Sequence, residues 1–193
     1  MALTGYQRLV GMRAKGKVEA VSANTEHSFS KLNTEVIQLV RELGVEGDAH
    51  FGQTVQHLHL IKKDPARVNF RQVHLIALER INEWNSLGHP VQCGSLGENI
   101  TTSGIDLEHL PAGTRMRFQS GAEILLTGLR KPCHQVDQFS VGLLKLTIFD
   151  TKDNEIPYRI GVMGIVLETG KVRKGEGIQL LLPPEPYQAM EKV

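Results

Sequence analysis

Apolar residues fall in short runs along the chain, separated by glycines and polar turns. GKVEAVSA (16–23), VQHLHLI (55–61), RQVHLIA (71–77), RMRFQ (115–119), AEILLTGL (122–129), GIVLETG (164–170) and GIQLLLP (177–183) each predict a β-strand. Ser120-Gly121, between two of them, predicts a tight hairpin. Many short strands with Gly-rich joints point to a mostly β fold, a closed or partly open barrel with a few short helices, rather than alternating β-α-β units. One helix is predicted in LERINEWNSLG, where Leu78, Ile81 and Trp84 share a face that ends at Gly88 and Pro90. Asp106 is placed to cap a short turn, DLEHL, closed by Pro111. VGLLKLTIF (141–149) is mostly apolar and compatible with either element, as is KLNTEVIQLVREL (31–43), which fits a helical face and a strand equally. PPEPYQAMEKV reads as a loose end.

No internal repeat, low-complexity tract or dividing linker interrupts the 193 residues, so a single domain is expected over 1–193, with its core at about 16–182 and a tail at 183–193. With 22 Lys and Arg against 21 Asp and Glu, spread along the chain, no basic footprint argues for nucleic acid. No apolar run reaches the length of a membrane span, and MALTGYQRLVGMRAKGK carries no signal-peptide core. The chain therefore reads as cytoplasmic, and its two cysteines as free thiols rather than a disulfide.

Candidate chemistry concentrates at Cys133 in LRKPCHQVD. Arg130 and Lys131 lie just before it, and nearby cations favour the reactive thiolate. Pro132 stiffens the approach. A buried structural cysteine is the bland alternative. In GVEGDAHFG, Gly44, Gly47 and Gly52 permit tight turns, and Asp48 and His50 share a face on extended backbone. That arrangement is either an acid–imidazole pair or a polar turn in which Asp48 caps backbone amides. His57 and His59 also share a face, but two ligands are too few for a metal site. GSLGENITTSG (94–104) offers amides and hydroxyls that could hold an anion, although it lacks the ending of a P-loop. Cys93, before it, has no cationic neighbours.

Taken together, these segments resemble one family, the MOSC domain (molybdenum-cofactor sulfurase C-terminal). GVEGDAHFG is similar to its Gly-Asp-x-His-x-Gly signature; RQVHLI, GSLGENITTSGIDLEHLPAGTRMRF and GVMGIVLETGKVRKGEGIQL follow in family order, and RKPC supplies the cysteine. The resemblance covers about Gly16 to Leu182. It implies a barrel-like fold, an extended 36–43 and a functional Cys133. It further implies a molybdenum-pterin cofactor, with Cys133 as metal ligand, Asp48 and His50 positioning substrate or supplying a proton, and Arg71, Asn99, Thr101, Arg130 and Lys131 in contact with the cofactor. Two chemistries follow from it. One is reduction of N-hydroxylated small molecules with an electron-donor protein. The other is sulfur carriage, with a persulfide on Cys133 loaded by a cysteine desulfurase, whose pyridoxal phosphate would sit on that partner. A cofactor-binding module without turnover is the third alternative. The resemblance to the small bacterial type assigns neither substrate nor oligomeric state.

Overall fold

A computed structural model describes residues 15–56, 61–149 and 156–193. Its principal element is a closed barrel. Strands β1 (Lys15–Ala23), β2 (Leu32–Thr34), β5 (Val73–Ala77), β6 (Ile100–Ser103), β7 (Arg115–Phe118), β8 (Glu123–Leu129), β9 (Val162–Glu168) and β11 (Gly177–Leu181) form one sheet. Its order is β11-β7-β8-β9-β5-β6-β1-β2, and β1 also pairs with β11. That pairing closes the barrel through Gly16↔Ile178 and leaves β2 as an added ribbon. A second, three-stranded sheet is made by β10 (Gly170–Arg173), β3 (Val36–Val40) and β4 (Gly44–Val45). The region 36–40, compatible in sequence with helix or strand, is thus extended.

Burial explains which patterns were readable. β7 alternates exposed and buried, RMRF, because one face meets water. β5, VHLIA, is buried at every position. Val73, Leu75 and Ala77 enter the barrel core beside Val18, Ile100 and Leu126. Ile76, on the opposite face, packs in a second cluster with Ile81 and Trp84. Those two residues are the buried stripe of helix α1 (Leu78–Ser86), which forms the connection between the parallel strands β5 and β6. Covered on both faces, β5 has no polar positions to spare except His74, which shares the Ile76 face.

Two expectations need correction, and one left open is decided. Asp106 makes no capping hydrogen bond to the 3-10 turn Leu107–His109; its carboxylate instead lies 2.8 Å from His109 Nδ1 as an ion pair. Within 141–149 the chain is partly helical, as α3 (Leu143–Leu146) following α2 (Gln135–Phe139). The 183–193 tail is not loose. Leu129 donates to Glu191 and accepts from Val193, Ala112 donates to Gln188, and Met190 enters the core with 5% of its surface exposed. The expected strand at 55–61 and the pair His57 and His59 fall largely outside the described residues.

Candidate functional site

A cleft of about 340 Å³ lies where the end of β1, the starts of β5, β6 and β9, and the exit of β8 meet. Its walls come from distant segments: His27, Phe29 and Lys31 after β1, His50 after β4, Arg71 and His74 around β5, Asn99 before β6, Arg130 after β8, and His134 with Gln135 at α2. His74 and Met163 are cross-strand partners on β5 and β9 and form its floor. The loop before β6 approaches very closely. Gly97 has φ +82°, and a Cβ there would stand 2.6 Å from the Phe29 carbonyl oxygen. Only glycine allows this contact.

Asp48 organises one side. It is buried, and its Oδ2 accepts from Lys31 Nζ at 2.7 Å and Asn99 Nδ2 at 3.0 Å. Its Oδ1 accepts from the His50 backbone N–H at 3.0 Å and the His50 ring Nδ1 at 3.2 Å. Both sequence readings of Asp48 therefore hold: it caps a backbone amide and pairs with an imidazole. Burial pushes its carboxyl up, but the His50 hydrogen bond and the Lys31 charge outweigh this and hold it well below the ordinary carboxylate range. Lys31 shifts down because burial, with the charge of Arg130, exceeds the help of Asp48 and of the Glu98 charge. The two directions are compatible, since several donors share the Asp48 carboxylate and offset its burial. His50 is pushed down first by burial and then by Lys31 and His27, against the pull of Asp48.

Arg71 and Arg130 form the opposite side. Arg71 Nε and Arg130 Nη1 are closed off from solvent and find no hydrogen-bond acceptor among the described residues. Burial, and then the charge of Arg130, lower Arg71 to about 10. Arg130 is lowered by burial, against the opposing charges of Cys133 and Glu98. Its guanidinium also lies 5.9 Å from the Phe29 ring centroid. Buried donors without acceptors are costly, and a cleft that keeps them suits an anionic ligand. Of the carboxylates nearby, Asp48 is engaged by Lys31, and Glu98, raised by burial, accepts from the N–H groups of Gly94 and Leu96 and interacts favourably with Arg130.

The other sequence candidates are placed as follows. Cys133 is free and half-buried, and its thiol contacts Gln135 Oε1 at 3.4 Å, beside the cleft rather than in its wall. Cys93 is also half-buried, so no contrast in exposure separates the two thiols. Asn99 lines the cleft, but its amide is spent on protein: Oδ1 accepts from His74 N, and Nδ2 donates to Asp48 and to the Ser22 carbonyl. Thr101 is fully buried, donates to Glu98 and does not reach the cleft. Lys131 is exposed and lies outside the cleft lining. Lys31, His27, His74 and His134 were not singled out by sequence. His74 sits in RQVHLI, and one polar residue within a fully buried strand was the available signal.

The MOSC domain model matches residues 46–179, more than half of the chain. The chain belongs to the MOSC domain family. YuaD of Bacillus subtilis (strain 168), whose name proposes a role in metal-sulfur cluster biosynthesis, is 35% identical over 98 residues. That match spans 48% of this chain and 51% of YuaD, about half the length of the curated relative. The crystal structure of the Bacillus subtilis YuaD protein superposes with a TM-score of 0.73 at 24% identity, covering 88% of this chain and 97% of the other. YiiM from Geobacillus stearothermophilus superposes at 0.64 and 13% identity, covering 90% and 79%, and YiiM from Escherichia coli at 0.57 and 17%, covering 89% and 73%. At these identities the superpositions establish the MOSC fold.

Proposed function

We propose that the cleft binds the phosphate-bearing molybdenum-pterin cofactor and that the protein is an oxidoreductase acting on N-hydroxylated small molecules. The observation that carries this reading is that Arg71 and Arg130 both line the cleft, each with a buried guanidinium N–H that has no acceptor among the described residues. A planar guanidinium matches a phosphate by charge-assisted hydrogen bonds. The volume falls within the range of small-ligand pockets. Among the described residues no three His, Cys, Asp or Glu side chains cluster as a protein-only metal site. A metal taken by Cys133 must therefore bring most of its ligands with it, and a soft thiolate completes such a set.

In this reading Arg71 and Arg130 hold the phosphate, and Cys133 is the metal ligand at the rim. When bound, the molybdenum centre supplies the redox chemistry that removes oxygen from an N–O bond. Electrons come from a separate donor protein, and the oxygen leaves as water. His50 moves a proton at the cleft wall, and Phe29 and Met163 exclude water from one side.

A second reading is sulfur carriage by a persulfide on Cys133. It is favoured by the half-exposed free thiol and by the name of YuaD. Metal and mass analysis after expression in a cofactor-competent host separates the two. Molybdenum near one per chain, lost in Cys133→Ser, supports the reductase. A cysteine persulfide without molybdenum overturns it in favour of the carrier.

A further inference from the structure

Glu108 sits in the 3-10 turn Leu107–His109, where Leu107 before it and Leu110 after it are anchored in the barrel core. The turn therefore holds Glu108 with only 4% of its surface exposed, and a carboxylate is seldom buried without a partner. Its Oε1 accepts from the Gly161 N–H at 3.2 Å. The carbonyl of that same peptide unit, Ile160 O, accepts from His74 Nε2 at 2.9 Å on the floor of the cleft. A carbonyl only accepts, so His74 carries its proton on Nε2. The Gly161 carbonyl in turn accepts from the Arg130 N–H at 3.1 Å. Gly161 is also wedged against β5: its φ is +85°, and a Cβ there would run into the Leu75 carbonyl oxygen.

We infer that Glu108 is a positioning residue: through the Ile160–Gly161 peptide it holds His74 on the floor of the cleft and Arg130 in its wall. This rests on reading the cleft as an anion site. Glu108 does not touch that cleft. It lines a separate one of about 320 Å³, with Glu79, Arg80 and Asp106. Burial pushes its carboxyl up and the Arg80 charge opposes this, but in either protonation state an oxygen remains to accept from Gly161. A glycine has no side chain to lock its turn, so the hydrogen bonds to Glu108, His74 and Arg130 do so instead. Bonds in such a chain polarise one another, so the carboxylate strengthens the His74 contact across the shared peptide as well as fixing the turn. Without that acceptor the turn keeps its fit against Leu75 but is free to tilt. Arg130 then loses the fixed backbone from which its guanidinium reaches the ligand.

The test is a calorimetric titration of the full chain with inorganic phosphate, read beside amide hydrogen exchange at Gly161 and Arg130. Glu108→Met removes the acceptor but keeps an unbranched side chain, and should weaken phosphate binding about 3–10-fold, the net effect of one hydrogen bond. Glu108→Gln keeps an oxygen for Gly161 and should stay within about twofold of wild type. Because Glu108 acts through Arg130, Glu108→Met should add no further loss to Arg130→Ala. Equal affinities in wild type and Glu108→Met overturn the inference, as do equal losses in Glu108→Gln and Glu108→Met, or an additive loss on Arg130→Ala. Should Glu108→Met fail to fold, Glu108→Asp decides: it draws the carboxylate back from Gly161 by one methylene, and an unchanged affinity overturns the inference equally. If wild type binds no phosphate, the anion reading of the cleft fails, and exchange alone decides the role of Glu108. Faster exchange at Gly161 and Arg130 in Glu108→Met, restored in Glu108→Gln, supports it; unchanged rates overturn it.

Discussion

Replacing Asp48 by Asn is a severe perturbation hidden in an isosteric change. The side chain keeps its shape but loses its charge, and the Lys31 ammonium is left buried without its ion-pair partner. Removing one partner of a buried pair destabilises by about 3–5 kcal/mol, mostly through the stranded charge. The amide nitrogen of Asn also cannot accept, so donors from Lys31 and Asn99, or from His50, lose their acceptor. Lys31→Met is milder, because Asp48 retains Asn99 and two His50 N–H donors, and methionine fills a comparable volume. The double variant removes both charges and should recover much of the loss, giving a coupling of about 1–3 kcal/mol in a double-mutant cycle. Urea unfolding with an unchanged m-value reads each difference directly. If Asp48→Asn loses less than about 1 kcal/mol, the range of an exposed pair, the pair is solvated and the burial argument fails.

The same pair predicts a pH dependence. Asp48 is depressed in the fold, so its own contribution is complete above the ordinary carboxylate value and is lost as pH falls through the folded value; the stability gap between wild type and Asp48→Asn should close progressively below about pH 4. Gly161→Ala should destabilise by about 2 kcal/mol or more in thermal unfolding, because φ is +85° and a Cβ would meet the Leu75 carbonyl oxygen at 2.0 Å. Met190→Ala should lower stability by about 2–5 kcal/mol by opening the core where the tail closes it; a change within experimental error would mean the tail does not pack.

Strand content was legible because the glycine-punctuated runs that fall within the described residues are strands between tight turns, as at Ser120-Gly121, where Gly121 has φ +90°. The short strands β2, β4 and β10 were not read, since two to four residues leave too little periodicity. The tail misled because PPEPYQAMEKV is polar and proline-rich, with Met190 as its residue in the barrel core and backbone hydrogen bonds holding the rest. Of the residues singled out by motifs and neighbours, His50, Arg71 and Arg130 line the cleft and Asp48 lies behind His50. Lys31 was invisible, because a buried ion pair joins residues far apart in sequence and a lysine normally marks surface. Thr101 looked available in GENITTSG, yet on β6 it is enclosed beside Glu98; composition suggested exposed hydroxyls where the fold buries them.

The central claim is that Arg71 and Arg130 make the cleft a phosphate site, and a calorimetric titration of the full chain with inorganic phosphate at low ionic strength tests it most directly. Wild type should bind, and Arg130→Ala should weaken binding about 10–150-fold, equivalent to about 1.5–3 kcal/mol for a charge-assisted hydrogen bond. Arg173→Ala, removing an exposed cation on β10, should leave the affinity unchanged. Equal affinities in wild type and Arg130→Ala, or equal losses in both variants, would contradict the account.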